Sequence, residues 1–195
     1  MRNGMGRSDP SAPVLIVGGS FNKQSACTIL MKYTAALFEE RGMSYELLPP
    51  EAMNLPLYHP DMHADSCKEA EPLIAAFRRA RAYVWCTPSY HYSISGAFKN
   101  LLDFVELMEN DDPPFLGGKL VGLIAASSGP IAAIHAIGAM EQIAHALRGY
   151  VVPATAPIGP INRAVDREKG TITEDRTKLK LAQMVDEMRD VLAPL

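Results

Sequence analysis

Strand-length apolar runs alternate with segments of helical periodicity along the whole of this chain. Few folds accept that order, because a strand, a helix and a second parallel strand in succession place helices on the faces of a parallel sheet. Residues 14–17 form the first buried strand. Residues 25–41 form a helix, with Ile29, Leu30, Tyr33, Leu37 and Phe38 at helical spacing and Gly42 as its stop. A short strand at 45–48 leads into a Pro-rich loop at 49–65, too long to be a mere connector. A helix at 67–81 turns Leu73, Ile74 and Phe77 inward, and a strand at 82–86 precedes a helix at 96–109. The strand at 119–126 is apolar almost throughout, as suits one covered on both faces. A helix at 131–148, a strand opening at 150–152 and a loop at 158–170 follow. The closing amphipathic helix at 173–192 is expected to bury Leu179, Met184, Val185 and Met188.

Composition narrows the function. With 48% hydrophobic and 21% charged residues, the chain has the make-up of a packed globular protein, expected as a single domain over 14–195 behind a loose polar tail at 1–13. A net charge of -3 argues against a nucleic-acid surface, and no apolar run reaches the roughly 18 residues of a membrane helix. The tail does not read as a secretory signal. Cys27, Cys67 and Cys86 have no metal-type spacing, and an odd, unpaired set suits a reducing cytoplasm.

Five strands with interposed helices predict a flavodoxin-like three-layer α/β sandwich, its five-stranded parallel sheet in the order 2-1-3-4-5. That order makes neighbours of the carboxyl ends of strands 1, 3 and 4, and the three unusual loops of the chain follow those strands. The first runs Gly18-Gly19-Ser20-Phe21-Asn22-Lys23-Gln24-Ser25. It is neither a P-loop nor a dinucleotide fingerprint, which needs a third glycine. Its donors are Ser20, Asn22, Ser25 and the backbone at the helix start, with Lys23 adding charge. Such a nest suits a terminal phosphate monoester. Ordinary N-capping by Ser20 or Asn22 would explain one of these residues and not the cluster.

The second loop carries Pro88, Ser89, Tyr90, His91, Tyr92 and Ser93 ahead of Gly96. Rings and backbone N–H groups are what a planar isoalloxazine lies against, and Gly96 lets the chain approach closely. Tyrosines after a strand are by themselves more often surface packing; beside a phosphate loop they read as a ring site. The third loop, Ser127-Ser128-Gly129, suits either the pyrimidine edge of a flavin or a helix N-cap with Pro130 in the first turn.

These residues resemble the NAD(P)H-dependent FMN reductases of the flavodoxin-like superfamily, a group that includes azo-dye, quinone and chromate reductases. The first loop resembles the motif G-S-x-R-x-x-S through Gly19, Ser20 and Ser25. The second resembles P-x-Y-x-x-S-x-x-G-x-L-K-N-x-x-D-W through Pro88, Tyr90, Ser93, Gly96, Lys99, Asn100 and Asp103. Residues 55–58, Leu-Pro-Leu-Tyr, also resemble the family's loop after strand 2. Asn22 stands where the family usually has arginine, His91 at a frequent asparagine position and Phe104 at the common tryptophan.

The resemblance implies FMN contacts from Ser20, Ser25, Pro88, Tyr90, Tyr92, Ser93 and Ser127 to Gly129, with NAD(P)H as co-substrate. It implies hydride transfer from the nicotinamide to flavin N5, and onward to free flavin, quinone or a similar small-molecule acceptor. No side-chain acid or base is obligatory for that chemistry. It also implies a homodimer or homotetramer joined through the helices after strands 3 and 4, the neighbouring subunit helping to wall the flavin. The loop at 49–65 is the candidate wall or lid. The rivals are a non-enzymatic electron carrier, for which a net charge of -3 is weak support, and a flavin-free interaction module, which Asn22 makes conceivable.

Other groupings carry less. His59, Asp61 and His63 lack a second ligand pair and read as a solvated loop rather than a metal site. His135 and His145 lie ten residues apart on one helix, about 15 Å along its axis, and are not read as a pair.

Overall fold

The computed structural model describes residues 9–22, 25–62 and 67–193; Lys23, His63 and most of the 1–13 segment lie outside them. Strands β1 (Val14–Gly18), β2 (Tyr45–Leu47), β3 (Ala82–Pro88) and β4 (Leu120–Ala126) are parallel and lie in the order β2-β1-β3-β4. The fifth position is divided. β5 (Tyr150–Val151) pairs with the start of β4, and β6 (Ala156–Ile158) pairs with its end. Pro153 lies in the gap, where its ring cannot supply a ladder donor. The order is the expected one.

Side chains alternate across the sheet and so build two cores. Leu15, Val17, Tyr83, Trp85 and Leu123 face α2 (Glu71–Arg79), α3 (Gly96–Asp103) and α4 (Pro130–Ala146). Val14, Ile16, Val84, Cys86 and Ile124 face α1 (Ala26–Glu40) and α6 (Asp175–Leu192). Trp85 meets the Phe98 ring edge-on at 5.9 Å, and large side chains buried this fully each contribute roughly 1.5–3 kcal/mol. Arg41, at the end of α1, binds Asp186 of α6 through Nε at 2.7 Å and Nη2 at 3.3 Å. The guanidinium holds the Asp186 carboxyl below the ordinary carboxylate range.

Four local expectations need correction. Leu179 is 58% exposed, because Thr177, Leu181, Met184, Val185 and Met188 share the inward stripe and position 179 lies about 200° from 181. Helix α2 begins at Glu71 rather than 67, with Pro72 in its first turn and a turn over 67–70. The helix from Gly96 tightens to 3₁₀ geometry at Phe104–Met108. The segment at 158–170 is not all loop: it holds α5 (Ile161–Ala164) and β7 (Val165–Asp166), which pairs antiparallel with β8 (Thr171–Ile172). Two-residue strands are too short to show a period.

Candidate functional site

The strand register fixes where the three loops leave the sheet. Gly18 lies opposite Cys86, Pro88 opposite Ala126, and Ala126 opposite Ile158. All three loops therefore emerge together at the carboxyl edge, where open α/β sheets bind ligands.

The first loop is bent hard over β3. Gly18 and Gly19 have φ of +117° and +98°, and the Gly19 N–H donates to the Cys86 carbonyl at 2.6 Å. Beyond them the Ser20 hydroxyl accepts from the Asn22 N–H at 3.4 Å, and the Asn22 carbonyl accepts from the Ser25 N–H at 2.9 Å. Ser25, not Ser20 or Asn22 as expected, is the N-cap of α1: its Oγ accepts from the Thr28 N–H at 3.2 Å and lies 3.1 Å from the Thr28 hydroxyl. No acidic residue sits in the first turn of α1, so the positive end of the helix dipole is not neutralised from within. Beneath the loop, a hydrogen bond to Cys27 and complete burial push the Cys86 thiol well above its ordinary range, keeping it a protonated packing group.

The second loop is a miniature hairpin. Tyr90 and Ser93 exchange both backbone hydrogen bonds at 3.0 Å, and His91 and Tyr92 between them have φ of +50° and +64°. Two central residues with positive φ make a type I′ turn. The Tyr90 and Tyr92 rings are 56% and 59% exposed, and Tyr92 stands edge-on to His135 of α4 at 5.4 Å. Ser89 is anchored twice, its N–H to the Ala126 carbonyl at 2.8 Å and its hydroxyl to the Ala132 carbonyl at 2.9 Å. At the other end, the Thr87 hydroxyl accepts from the Ser95 N–H at 3.1 Å, and Ser95 caps α3. Thr87→Val should cost about 1–3 kcal/mol, seen as a lower urea midpoint, because the Ser95 N–H is buried and would lose its acceptor.

The third loop is turned inward at its start. Ser127 is buried; its N–H donates to the Ile158 carbonyl at 3.0 Å, its carbonyl accepts from the Ile161 N–H at 2.9 Å, and its hydroxyl donates to the Gly129 carbonyl. Gly129 is the N-cap of α4 with Pro130 behind it, and Ser128 is exposed. A Cβ on Gly159 would come within 2.8 Å of the Gly129 carbonyl, so the close crossing there requires glycine.

The structure thus gathers Ser20, Asn22 and Ser25, Pro88 to Ser93, and Ser127 to Gly129 at the ends of adjacent strands. Ser25, Ser89 and Ser127 also use their hydroxyls to shape their own loops. Sequence reasoning overlooked Thr28 and Thr87, whose hydroxyls complete two of these networks. It also gave Asn100 no role. Asn100 Oδ1 accepts from the Tyr58 N–H at 2.9 Å and its Nδ2 donates to the Pro56 carbonyl at 2.8 Å, tying the segment after β2 to α3. An asparagine in mid-helix is the signal that could have drawn attention to it.

Hydroxyl donors at an unneutralised helix start, a backbone crossing that only glycine permits, and exposed flat rings one strand away fit a phosphorylated planar ring such as FMN. The whole arrangement is that of a flavodoxin-like α/β protein. In fold the chain is similar to a flavoenzyme NAD(P)H:(acceptor) oxidoreductase from Paracoccus denitrificans, with a TM-score of 0.75 and 24% identity over 93% of this chain and 97% of that one. Residues 12–162 match the profile of the NADPH-dependent FMN reductases, and the chain belongs to that family. It is thus an oxidoreductase of the FMN-dependent kind. An NADPH azoreductase of Bacillus sp. strain OY1-2 is 28% identical over 176 residues, 90% of each chain. A quinone reductase of Escherichia coli strain K12 is 30% identical over 162 residues, 82% of this chain and 81% of that one.

Proposed function

We propose that residues 14–195 form a single FMN-binding domain that passes hydride from NAD(P)H to a small acceptor such as free flavin or a quinone. The observation that carries this reading is the convergence of three loops on the ends of β1, β3 and β4. Ser20, Asn22, Ser25 and the first N–H groups of α1 hold the FMN phosphate, with Lys23 adding charge. Pro88, Ser89, Tyr90, His91, Tyr92 and Ser93 supply the surface on which the ring system lies. Ser128 and Gly129 would meet its pyrimidine edge with backbone N–H groups, which would stabilise the charge that builds up on reduction, while Ser127, its N–H and hydroxyl already given to the Ile158 and Gly129 carbonyls, holds the loop behind them. Bound FMN would supply the redox chemistry, and these residues would hold and orient it. No side-chain acid or base is assigned. Relatives named as azoreductase and quinone reductase favour quinone-like, electron-poor acceptors.

The assembly proposed is a homodimer or homotetramer in the cytoplasm. Tyr90, Tyr92, Ile131 and Ile134 are exposed on the second loop and the adjoining start of α4, an apolar surface suited to a second copy. The loop at 49–65 would add to the wall: the Asn100 clamp grips the backbone on both sides of Leu57, which is 83% exposed. The purified protein mixed with FMN should acquire the yellow absorbance of a flavoprotein and lose it within seconds of adding NADPH without air. Protein that takes up no FMN, or holds it but is not bleached, defeats the reading.

A further inference from the structure

A cavity of about 310 Å³ lies beside the first loop, on the side away from the tyrosine-bearing turn. Its floor comes from the chain leaving β2, at Leu48, Pro49 and Pro50, and its other wall from Met31 on α1. Thr28 joins it directly to the phosphate loop, because the Thr28 hydroxyl lies 3.1 Å from that of Ser25. Lys32, one turn beyond Thr28 on the same helix face, is exposed at the rim and makes no ion pair among the described residues. Glu51, also at the rim, is already engaged.

We infer that this cavity binds the adenosine half of the nicotinamide co-substrate, and that Lys32 selects NADPH by receiving the 2′-phosphate. The inference rests on the reading of the chain as an NAD(P)H oxidoreductase. Flat apolar walls from two prolines, two leucines and a methionine suit the faces of a purine, and a hydroxyl and an ammonium at the rim suit a phosphorylated ribose. The position suits it too. β2 lies two to three strand spacings from the β3–β4 ends where the ring site emerges, roughly 10–14 Å at about 4.8 Å per strand. An extended dinucleotide covers that distance, with its nicotinamide at the ring and its adenine past the phosphate loop. A lone ammonium is a good partner for a phosphate monoester and has little to offer an unphosphorylated ribose.

The test is calorimetric titration of the FMN-saturated protein with adenosine 2′,5′-bisphosphate and with 5′-AMP. FMN saturation keeps both probes out of the phosphate loop. The bisphosphate should bind about tenfold more tightly than 5′-AMP. Lys32→Glu, at an exposed position, should erase that difference and leave 5′-AMP binding unchanged. Leu48→Trp, which fills the cavity, should abolish binding of both, while FMN affinity stays that of the parent in either variant. A bisphosphate that does not bind, or whose affinity is untouched by Lys32→Glu, overturns the inference. So does a loss found instead in Arg176→Glu, on the smaller cavity of about 170 Å³ beside α6. Should the bisphosphate bind as expected while NADPH fails to reduce the protein, the proposed activity falls and the adenosine site stands.

Discussion

Gly18→Ala is expected to lower the unfolding free energy by about 3–5 kcal/mol, the sum of overpacking and of forcing a side chain into a disfavoured backbone region. A methyl group at position 18 would lie 2.0 Å from the Cys86 carbonyl oxygen and 3.0 Å from its carbon. Those are backbone atoms of a central strand, so they cannot swing aside as a side chain would. The φ of +117° adds strain of its own. The same shift would break the hydrogen bond from Gly19 to Cys86 and re-aim the whole first loop. Urea denaturation of the variant and of Gly96→Ala makes the comparison. Gly96 opens α3 with nothing within 4 Å of an added Cβ, and its replacement should change stability by less than about 1 kcal/mol. Equal midpoints for the two variants would show that the crossing over β3 is not tight.

The double variant Ser20→Ala, Ser25→Ala should bind FMN about 100-fold more weakly, two charge-assisted hydrogen bonds of about 1.5 kcal/mol each being lost. The Ser20 hydroxyl accepts from the Asn22 N–H, which leaves its own proton to be donated outward. Ser25 is in the same position when the Thr28 hydroxyl donates to it, since its Oγ already accepts from the Thr28 N–H. Each serine would therefore give one proton to a phosphate oxygen while its lone pairs hold the loop. Removing Ser25 also removes the cap of α1, at about 1 kcal/mol of stability. Titration by quenching of FMN fluorescence reads the affinity, and a dissociation constant within threefold of the parent would remove these serines from the phosphate site.

The sheet was legible because its strands are covered on both faces. Runs such as 82–86 and 120–126 stay apolar whatever their register, and strand count with crossover helices then leaves few topologies. The cap of α1 was legible only as a short polar stretch: Ser20, Asn22 and Ser25 all precede the helical period, and it is the bond from the Thr28 N–H that singles out Ser25. Thr87 was hidden by its setting: a threonine ending an apolar strand looks like one more β-branched packer until Ser95 returns to it. His135 was weighed only against His145 on its own helix, whereas the ring it meets is Tyr92, across the second loop. Asn100 likewise acts on residues 56 and 58, and no periodicity in one segment reports a bond to another. Leu179 failed for the opposite reason, as a leucine near the start of a helix was counted inward before the stripe from Leu181 onward had been fixed.

The paired backbone bonds between Tyr90 and Ser93 separate the shape of that loop from the chemistry of its tip. Main-chain atoms hold the bend, so the imidazole and phenol at 91 and 92 are free to be exchanged without rebuilding the support. Asparagine and glycine would suit the two left-handed positions better than histidine and tyrosine do. Under the proposed ring site, single codon changes at the crest of the turn would alter which oxidants are accommodated, with the scaffold beneath indifferent or slightly relieved.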